Sequence, residues 1–449
     1  LENIKRFMNN ILSKKIFLPT RNDSEVRSVT MLGEEKVFKD PVHKYIYVQD
    51  QLIWDLINTP EFQRLRRIRQ LGTSYLTFHG AEHSRFNHSL GVYEVVRKII
   101  SQFERNGYEQ WCAEDRLLVL SAALLHDLGH APFSHSMERV FGTHHEMWSC
   151  RLILEDTQVN QILKKKAPDF PEQVASVIAK THPNQLLVSM VSSQLDADRM
   201  DYLLRDAYYT GVNYGTFDLE RILRVIRPHE GHIVVKASGM RAVEDYLMSR
   251  YQMYWQVYLH PVTRSAEIIL RNIFKRAKQL FVAGYSFPFL PSPLIALFSD
   301  QLDMEQFLLL DEPLIQVTVQ AWQSADDTIL SDLSKRFVNR NLFKYVSAQS
   351  MSATQWQTLQ TKFSQNGMTP EYYLATDDPS DQPYHEFREH GVEEKLPILI
   401  LDEQGRLREI SEVSEIVHAL SGMNQEKQPL LFYPDDLYQS RIGGVIDKW

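Results

Sequence analysis

The run Ala123-Leu-Leu-His-Asp-Leu-Gly-His130 sets His126 beside Asp127, with His130 one helical turn further on, inside the apolar stretch Leu117 to Leu128. An imidazole and a carboxylate are costly in such surroundings unless a strong partner satisfies them. A divalent cation is one such partner, and imidazole with carboxylate suits Mg, Mn, Fe, Co, Ni or Zn better than a soft thiophilic ion. The alternative is a buried His–Asp hydrogen-bonded pair closing a helix. Either way the polar pair lies within an otherwise apolar, helical stretch and needs a partner there.

The surrounding pattern is helical. Apolar periodicity marks helices over 89–105, 114–128, 145–155, 171–180, around 196–209 and over 218–227, with Gly- or Pro-containing turns between them. Tyr45-Ile46-Tyr47-Val48 and the residues before Asp40-Pro41-Val42-His43 read as two short extended pieces. Thr59-Pro60 opens a helix that turns Phe62, Leu65, Ile68 and Leu71 inward and ends at Gly72. A hairpin with Glu230-Gly231 at its turn precedes a strongly helical stretch from Gly239 to Phe281, interrupted at Pro261. Beyond residue 285, prolines punctuate the chain, with further helices over 294–308, 314–337 and 409–420 and a strand-like Leu396-Pro-Ile-Leu-Ile400. The expected architecture is mainly α: an N-terminal extension over 1–35, a helical core over 36–284 and a smaller C-terminal α+β lobe over 285–449.

A net charge of −8 gives no global field for nucleic acid, though a local basic pocket for a phosphorylated ligand is compatible with it. The 2 cysteines, Cys112 and Cys150, are too few for a disulfide framework and read as reduced thiols of a cytoplasmic protein. No stretch approaches the roughly 18 uninterrupted apolar residues of a membrane span. The basic amphipathic opening segment lacks the apolar core and cleavage site of a signal peptide.

Three more acidic or imidazole side chains extend the motif: His88 in Arg85-Phe-Asn-His-Ser-Leu-Gly91, and Asp196 and Asp198 in Asp196-Ala-Asp-Arg-Met-Asp-Tyr202. The order H…HD…D across helices is that of an octahedral site with positions left open for water and substrate oxygens. Asp198, Tyr202 and Asp206 are spaced four apart and share a helix face, as do Arg250, Tyr254 and Tyr258.

In these blocks the sequence resembles the HD-domain phosphohydrolases, specifically their deoxynucleoside-triphosphate triphosphohydrolase branch, including the catalytic core of the human SAM-and-HD-domain enzyme. The similarity runs from about Lys36 to Phe281 through Asp40-Pro-Val-His43, Phe62-Gln-Arg-Leu-Arg66, Gln70-Leu-Gly72, Arg85–Gly91, His126–His135 and Asp198–Asp206. It implies His88, His126, Asp127 and Asp198 as metal ligands. Asp198 is chosen over Asp196 because it precedes the basic Arg199 and the Asp201-Tyr202 pair, leaving Asp196 as a helix cap or a group supporting the ligands. It further implies Arg199 and Arg250 on phosphate, Tyr202 and Asp206 on sugar, Tyr258 walling the deoxyribose, and Gln70 and Arg85 along the base and phosphate side. His145 corresponds to the general acid, and His130 and His135 to pocket histidines near phosphate; His135 also suits a hydrogen bond within the Pro132-Phe133-Ser134 turn.

The implied reaction is hydrolysis of a dNTP to deoxynucleoside and tripolyphosphate, with ribonucleotides excluded because a 2′-hydroxyl would be desolvated against Tyr258 without a partner. Lys36, Val37, Asn58, Gln63 and Arg66 match an inter-subunit nucleotide site. This implies a homo-oligomer, a tetramer by resemblance, activated by a dNTP effector taken as dGTP. One departure bears on the effector: the guanine-recognising Asp of the human enzyme is Asn58 here, and an amide lacks the doubly accepting edge that guanine N1–H and N2–H favour. The Arg64, Arg66, Arg67 and Arg69 cluster also reads as an exposed helix face. Two other functions fit the HD pattern: a phosphohydrolase of nucleoside monophosphates or alarmones, and a nucleotide-binding regulatory protein.

Overall fold

A computed structural model describes residues 31–133, 137, 138, 140, 144–377, 397–422 and 429–443. Its centre is the Arg116–Leu125 helix, in which every residue from Leu117 to Leu125 is buried. A helix apolar on all sides has to be covered on all sides. The Arg85–Asn106, Phe170–Ile178 and Gln185–Val191 helices pack around it, and the Ala197–Thr210 helix lies against Arg85–Asn106. Local chemistry sets the ends of these helices. Gly107 (φ 62°) and Gly211 (φ 76°) terminate two of them in the left-handed conformation. Asp196 caps the Ala197–Thr210 helix by accepting from Arg199 N at 2.7 Å.

Among the described residues the strands form three small sheets. β1 (Met31–Asp40) and β2 (Lys44–Asp50) make an antiparallel hairpin. Its turn is tied by Asp40 Oδ1, which accepts from Val42 N (2.9 Å) and His43 N (2.8 Å). β3 (Ile226–His229) and β4 (His232–Lys236) form the expected hairpin. β4 then pairs in parallel with β7 (Leu399–Leu401), which pairs with β8 (Leu407–Glu409). The third sheet has the order β5 (Lys344–Ser347), β9 (Leu430–Tyr433), β6 (Ala375–Asp377).

Two apolar clusters hold the molecule together. The first joins the helices around Arg116–Leu125 and includes Ile398, Ile400, Ile410, Val417 and Leu420. The second gathers Ile268 to Leu280 with Leu294, Trp322, Phe337 and Phe432. The Pro261–Val282 helix therefore belongs to the core of the C-terminal helices, whereas β7 and β8 return to the first body.

The molecule is mainly α with small sheets towards its C-terminal part, as the patterning indicates. Several elements differ in detail. Thr59 does cap, with Pro60 at the first position, but the helix is only Pro60–Arg64 and continues as a 3-10 turn, Leu65–Arg67. Phe62, Leu65 and Ile68 are buried, and so is Arg64, whose guanidinium stacks on Phe307 and donates to Leu310 O. The stretch after Gly239 contains a π-helical turn, Tyr254–Tyr258, between Met240–Met253 and Pro261–Val282. Cys112 and Cys150 are free thiols. Among the described residues no helix is long and apolar enough to cross a membrane. The sequence before residue 31, and with it most of the expected N-terminal extension, lies outside the described residues.

Candidate active site

Three helices converge to place the imidazoles and carboxylates. His88 stands in the first turn of Arg85–Asn106, His126 and Asp127 follow the last residue of Arg116–Leu125, and Asp198 stands in the first turn of Ala197–Thr210. Each His–Asp motif sits at a helix end, where the backbone is not fully committed to the helical ladder. Donor atoms of His88, His126 and Asp198 all lie within 4.8 Å of one another. His88 Nε2 is 3.1 Å from Asp198 Oδ1 and 3.7 Å from Asp127 Oδ2. His126 Nε2 is 3.3 Å from Asp127 Oδ1 and 3.8 Å from Asp198 Oδ1.

These side chains fit a divalent cation. His126 Nδ1 donates to Ala123 O (2.9 Å) and His88 Nδ1 donates to Asp201 Oδ2 (2.8 Å), so both imidazoles turn an Nε2 lone pair inward. Both buried Nε2 atoms lack a hydrogen-bond partner. Electrostatics agree. Burial opposes protonation of His88, yet Asp198, Asp201 and Asp127 push it up to about 10, so the site draws positive charge to Nε2. Burial opposes ionisation of Asp198, but His126 and His88 hold its carboxyl well below the usual range. Asp127 divides its oxygens: Oδ2 accepts from Arg85 Nη1 at 2.5 Å, and Oδ1 faces His130 Nε2 at 3.2 Å as well as His126.

The turn after His126 is locked to the His145–Leu154 helix. Gly129 N donates to Ser149 Oγ (2.8 Å), which donates to His126 O (2.9 Å). A Cβ on Gly129 would meet Ser149 N at 2.1 Å and His145 O at 2.3 Å, so only glycine permits this approach. The docking stacks the rings of His130 and His145, with centroids 3.9 Å apart, while His145 Nδ1 donates to Glu138 Oε1 at 2.8 Å. His130, Glu138 and His145 form a second cluster with metal-ligand spacing. Burial, together with Arg85 and His145, holds His130 well below the usual imidazole value. His135 lies outside the described residues.

A cavity of about 460 Å³ opens from the metal cluster. Of the residues expected on substrate, Gln70, Arg85, Tyr202, Asp206 and Tyr258 line it, together with Asp127, His130, His145 and Asp198. Arg199 and Arg250 are outside that lining. Arg199 is occupied by an ion pair with the capping Asp196. Arg250 is buried, 5.7 Å from the Tyr254 ring centroid, with Nε and Nη1 unpartnered. The effector-site residues also lie away from the cavity. Lys36 and Val37 are on β1, Asn58 follows the Gln51–Ile57 helix, and Arg66 lies 3.5 Å over the Phe86 ring while donating to Gln63 Oε1.

The structure adds residues that sequence reasoning missed. His83 Nε2 donates to Asp206 Oδ1 (2.7 Å), and Tyr258 Oη donates to Asp206 Oδ2 (2.8 Å), so this carboxylate is held from both sides. Arg69, Tyr254, Arg264 and Glu267 also line the cavity. Two of its arginines are anchored by the C-terminal part: Arg69 by Glu312 (2.5 Å) and Arg264 by Asp377 (2.6 Å). The Asp40-Pro-Val-His43 block was a usable signal for His43, which reaches Asp201; nothing local marks the other partners.

The HD domain description matches residues 85–206, and that of an HD-associated region matches 217–284. The YwfO protein of Bacillus subtilis is 57% identical over 409 residues, covering 90% of this chain and 94% of that protein. The crystal structure of a phosphohydrolase from Bacteroides thetaiotaomicron superposes with a TM-score of 0.79 at 30% identity, covering 89% of this chain and 99% of that one. A protein of Dictyostelium discoideum named as a deoxynucleoside triphosphate triphosphohydrolase, the SAMHD1 homolog, is 30% identical over 329 residues, which are 69% of this chain and 60% of that protein. This chain thus matches less than two thirds of that relative's length. With the clustered His88, His126 and Asp198 inside the matched segment, the chain belongs to the HD-domain phosphohydrolase family of metal-dependent hydrolases.

Proposed function

We propose that this protein hydrolyses deoxynucleoside triphosphates to deoxynucleoside and tripolyphosphate. The observation that carries the reading is the layout of the 460 Å³ cavity. Its volume is that of a small-molecule site, and it joins a His/Asp metal cluster to an aromatic wall of Tyr202 and Tyr258, with the doubly held Asp206 beside them. The names of the SAMHD1 relatives point the same way.

His88, His126 and Asp198, with Asp127 at the border, would hold the cation. When bound, it supplies charge neutralisation at the α-phosphate and acidifies water. The chain supplies the rest. Arg85, fixed by Asp127, presents a guanidinium to the phosphates. Cleavage breaks the bond from the α-phosphorus to the 5′ oxygen, with water adding to phosphorus and the leaving oxygen taking up a proton. His145 lines the cavity on that side, and Glu138, accepting from Nδ1, sets its ring orientation. His130, stacked on it, lines the same side of the cavity, next to the phosphate in this reading. Tyr258, oriented by Asp206, packs the deoxyribose and excludes a 2′-hydroxyl.

The proposal includes a cytoplasmic homotetramer activated by a dNTP bound at Lys36, Val37, Asn58, Gln63 and Arg66, with dGTP as the first effector to test. Product analysis with four dNTPs, four NTPs, deoxynucleoside monophosphates and (p)ppGpp, each with and without dGTP, tests the reading. Tripolyphosphate released from dNTPs alone supports it. Turnover confined to monophosphates or (p)ppGpp replaces it with the other HD activities. Light scattering across the dGTP titration tests assembly.

A further inference from the structure

The cavity lining contains neither Asp201 nor His43, yet Asp201 sits directly behind the candidate ligand His88, and His43 behind Asp201. Asp201 is 0% exposed. Its Oδ2 accepts from His88 Nδ1 (2.8 Å) and Arg205 Nε (2.8 Å), and its Oδ1 accepts from His43 Nε2 (2.6 Å) and Arg205 Nη2 (2.9 Å). Arg205 Nη1 continues to Asp40 Oδ2 (2.8 Å), and Asp40 Oδ1 accepts from His43 N. Asp40, His43, Asp201 and Arg205 thus close a ring of hydrogen bonds, with the side chain of His88 attached at one point. The packing that admits the ring is equally tight. A Cβ at Gly91, one helical turn beyond His88, would lie 1.9 Å from Asp201 Oδ1 and 2.4 Å from Arg205 Nη2.

From this arrangement we infer that Asp201 and His43 are positioning residues of the metal centre, and that the turn between β1 and β2 is a structural part of that centre. The inference rests on the reading of His88, His126 and Asp198 as the metal site. An ionised carboxylate only accepts hydrogen bonds, so Asp201 requires the proton of His88 on Nδ1 and leaves the Nε2 lone pair for the cation. Four donors fix the Asp201 carboxylate and so fix the ring plane of His88. Asp201 stands three residues after Asp198 on one helix. That helix therefore supplies one ligand and the group that orients another. His43 comes from outside residues 85–206, the segment matched by the HD domain description. The hairpin thereby completes a centre that the HD helices alone leave without one of its supports.

The test is Mn²⁺ affinity of the full chain by equilibrium dialysis with elemental analysis, alongside circular dichroism and thermal unfolding without metal. Asp201→Asn keeps an acceptor for His88 but loses the charge, and His43→Leu removes one donor. Loss of such a partner weakens metal binding about 10–100-fold, and that is the expected result for Asp201→Asn, with about tenfold for His43→Leu. His43→Gln, whose amide can donate from nearly the same place, restores most of the affinity. A merely structural ring would lower the unfolding temperature and leave the Mn²⁺ dissociation constant unchanged, which overturns the inference. Should Asp201→Asn not fold, the comparison of His43→Leu with His43→Gln decides. His126→Ala separates the two levels: if it binds Mn²⁺ as wild type does, the metal-site reading itself fails. If it loses Mn²⁺ while Asp201→Asn and His43→Leu retain it, only the positioning role is lost.

Discussion

Gly91→Ala is the smallest change that reaches the centre of this molecule. Helix propensity alone says that it stabilises: Gly91 lies inside the Arg85–Asn106 helix, where alanine is favoured over glycine by about 1 kcal/mol. Packing says the opposite. The added methyl would lie 1.9 Å from Asp201 Oδ1, 2.5 Å from Asp201 Cγ and 2.4 Å from Arg205 Nη2, so these atoms must retreat by more than an ångström. Asp201 cannot swing aside, because His43, His88 and Arg205 occupy its oxygens and none of these side chains reaches solvent. The options are to spread the two helices, about 1–3 kcal/mol for overpacking, or to break the buried pair, about 3–5 kcal/mol. Less the propensity gain of about 1 kcal/mol, the net loss is about 0–2 kcal/mol if the helices spread and about 2–4 kcal/mol if the pair breaks. At about 2.1 cal/mol/K per residue, unfolding of all 449 residues carries roughly 0.9 kcal/mol/K, so Tm falls by up to about 2 °C on the first route and by about 2–4 °C on the second. Scanning calorimetry of the metal-free protein measures this directly. A Tm above wild type, the outcome that helix propensity alone gives, would refute the close approach of the two helices.

Four further outcomes follow from the geometry. His126→Ala with Asp127→Ala should abolish turnover and most bound metal while helical content stays near wild type, and normal dNTP hydrolysis by this variant would remove the metal centre from the reaction. His145→Ala should lower kcat by roughly 10²–10⁴ with metal content unchanged; loss of metal would instead place His145 among the ligands. Wild type should prefer dATP to ATP in kcat/KM, and Tyr258→Ala should narrow that preference, whereas equal wild-type values for the two nucleotides would sink the sugar-packing argument. Asp327 caps the Thr328–Val338 helix through Leu330 N (2.8 Å) and pairs with Arg276 (2.5 Å); burial opposes its ionisation, but these partners hold its carboxyl below the usual range. Its stabilisation is therefore present above the unfolded value near ~3.9 and lost as pH falls through the folded one. The Tm deficit of Asp327→Ala should accordingly be about 1 kcal/mol in equivalent energy near neutrality and shrink towards pH ~3; a deficit independent of pH would contradict this.

The sequence by itself determined the central apolar helix, local signals for several helix ends and the His and Asp motifs that come together as a candidate metal cluster. These depend on short-range physics. Leu117–Leu125 cannot be exposed, Asp196 two positions before Asp198 is placed to cap, and Gly107 and Gly211 accept the left-handed ends. Its α+β reading of the C-terminal part agrees with the small sheets found there. Tertiary structure alone decided the partners. Periodicity reports which face of an element is apolar, not what will cover it, so the parallel pairing of β4 with β7 had no signal in either strand. The same limit hid His83 against Asp206, His43 against Asp201, and the burial of Arg64 under Phe307 within an arginine cluster that also reads as a solvated face. Arg199, expected on phosphate, is ion-paired in the fold with the carboxylate of its own helix cap, a contact that spacing alone does not announce. Local spacing can nominate a ligand or a guanidinium; only packing settles which of its atoms another residue has already taken, because burial makes each such contact worth more than it is in water.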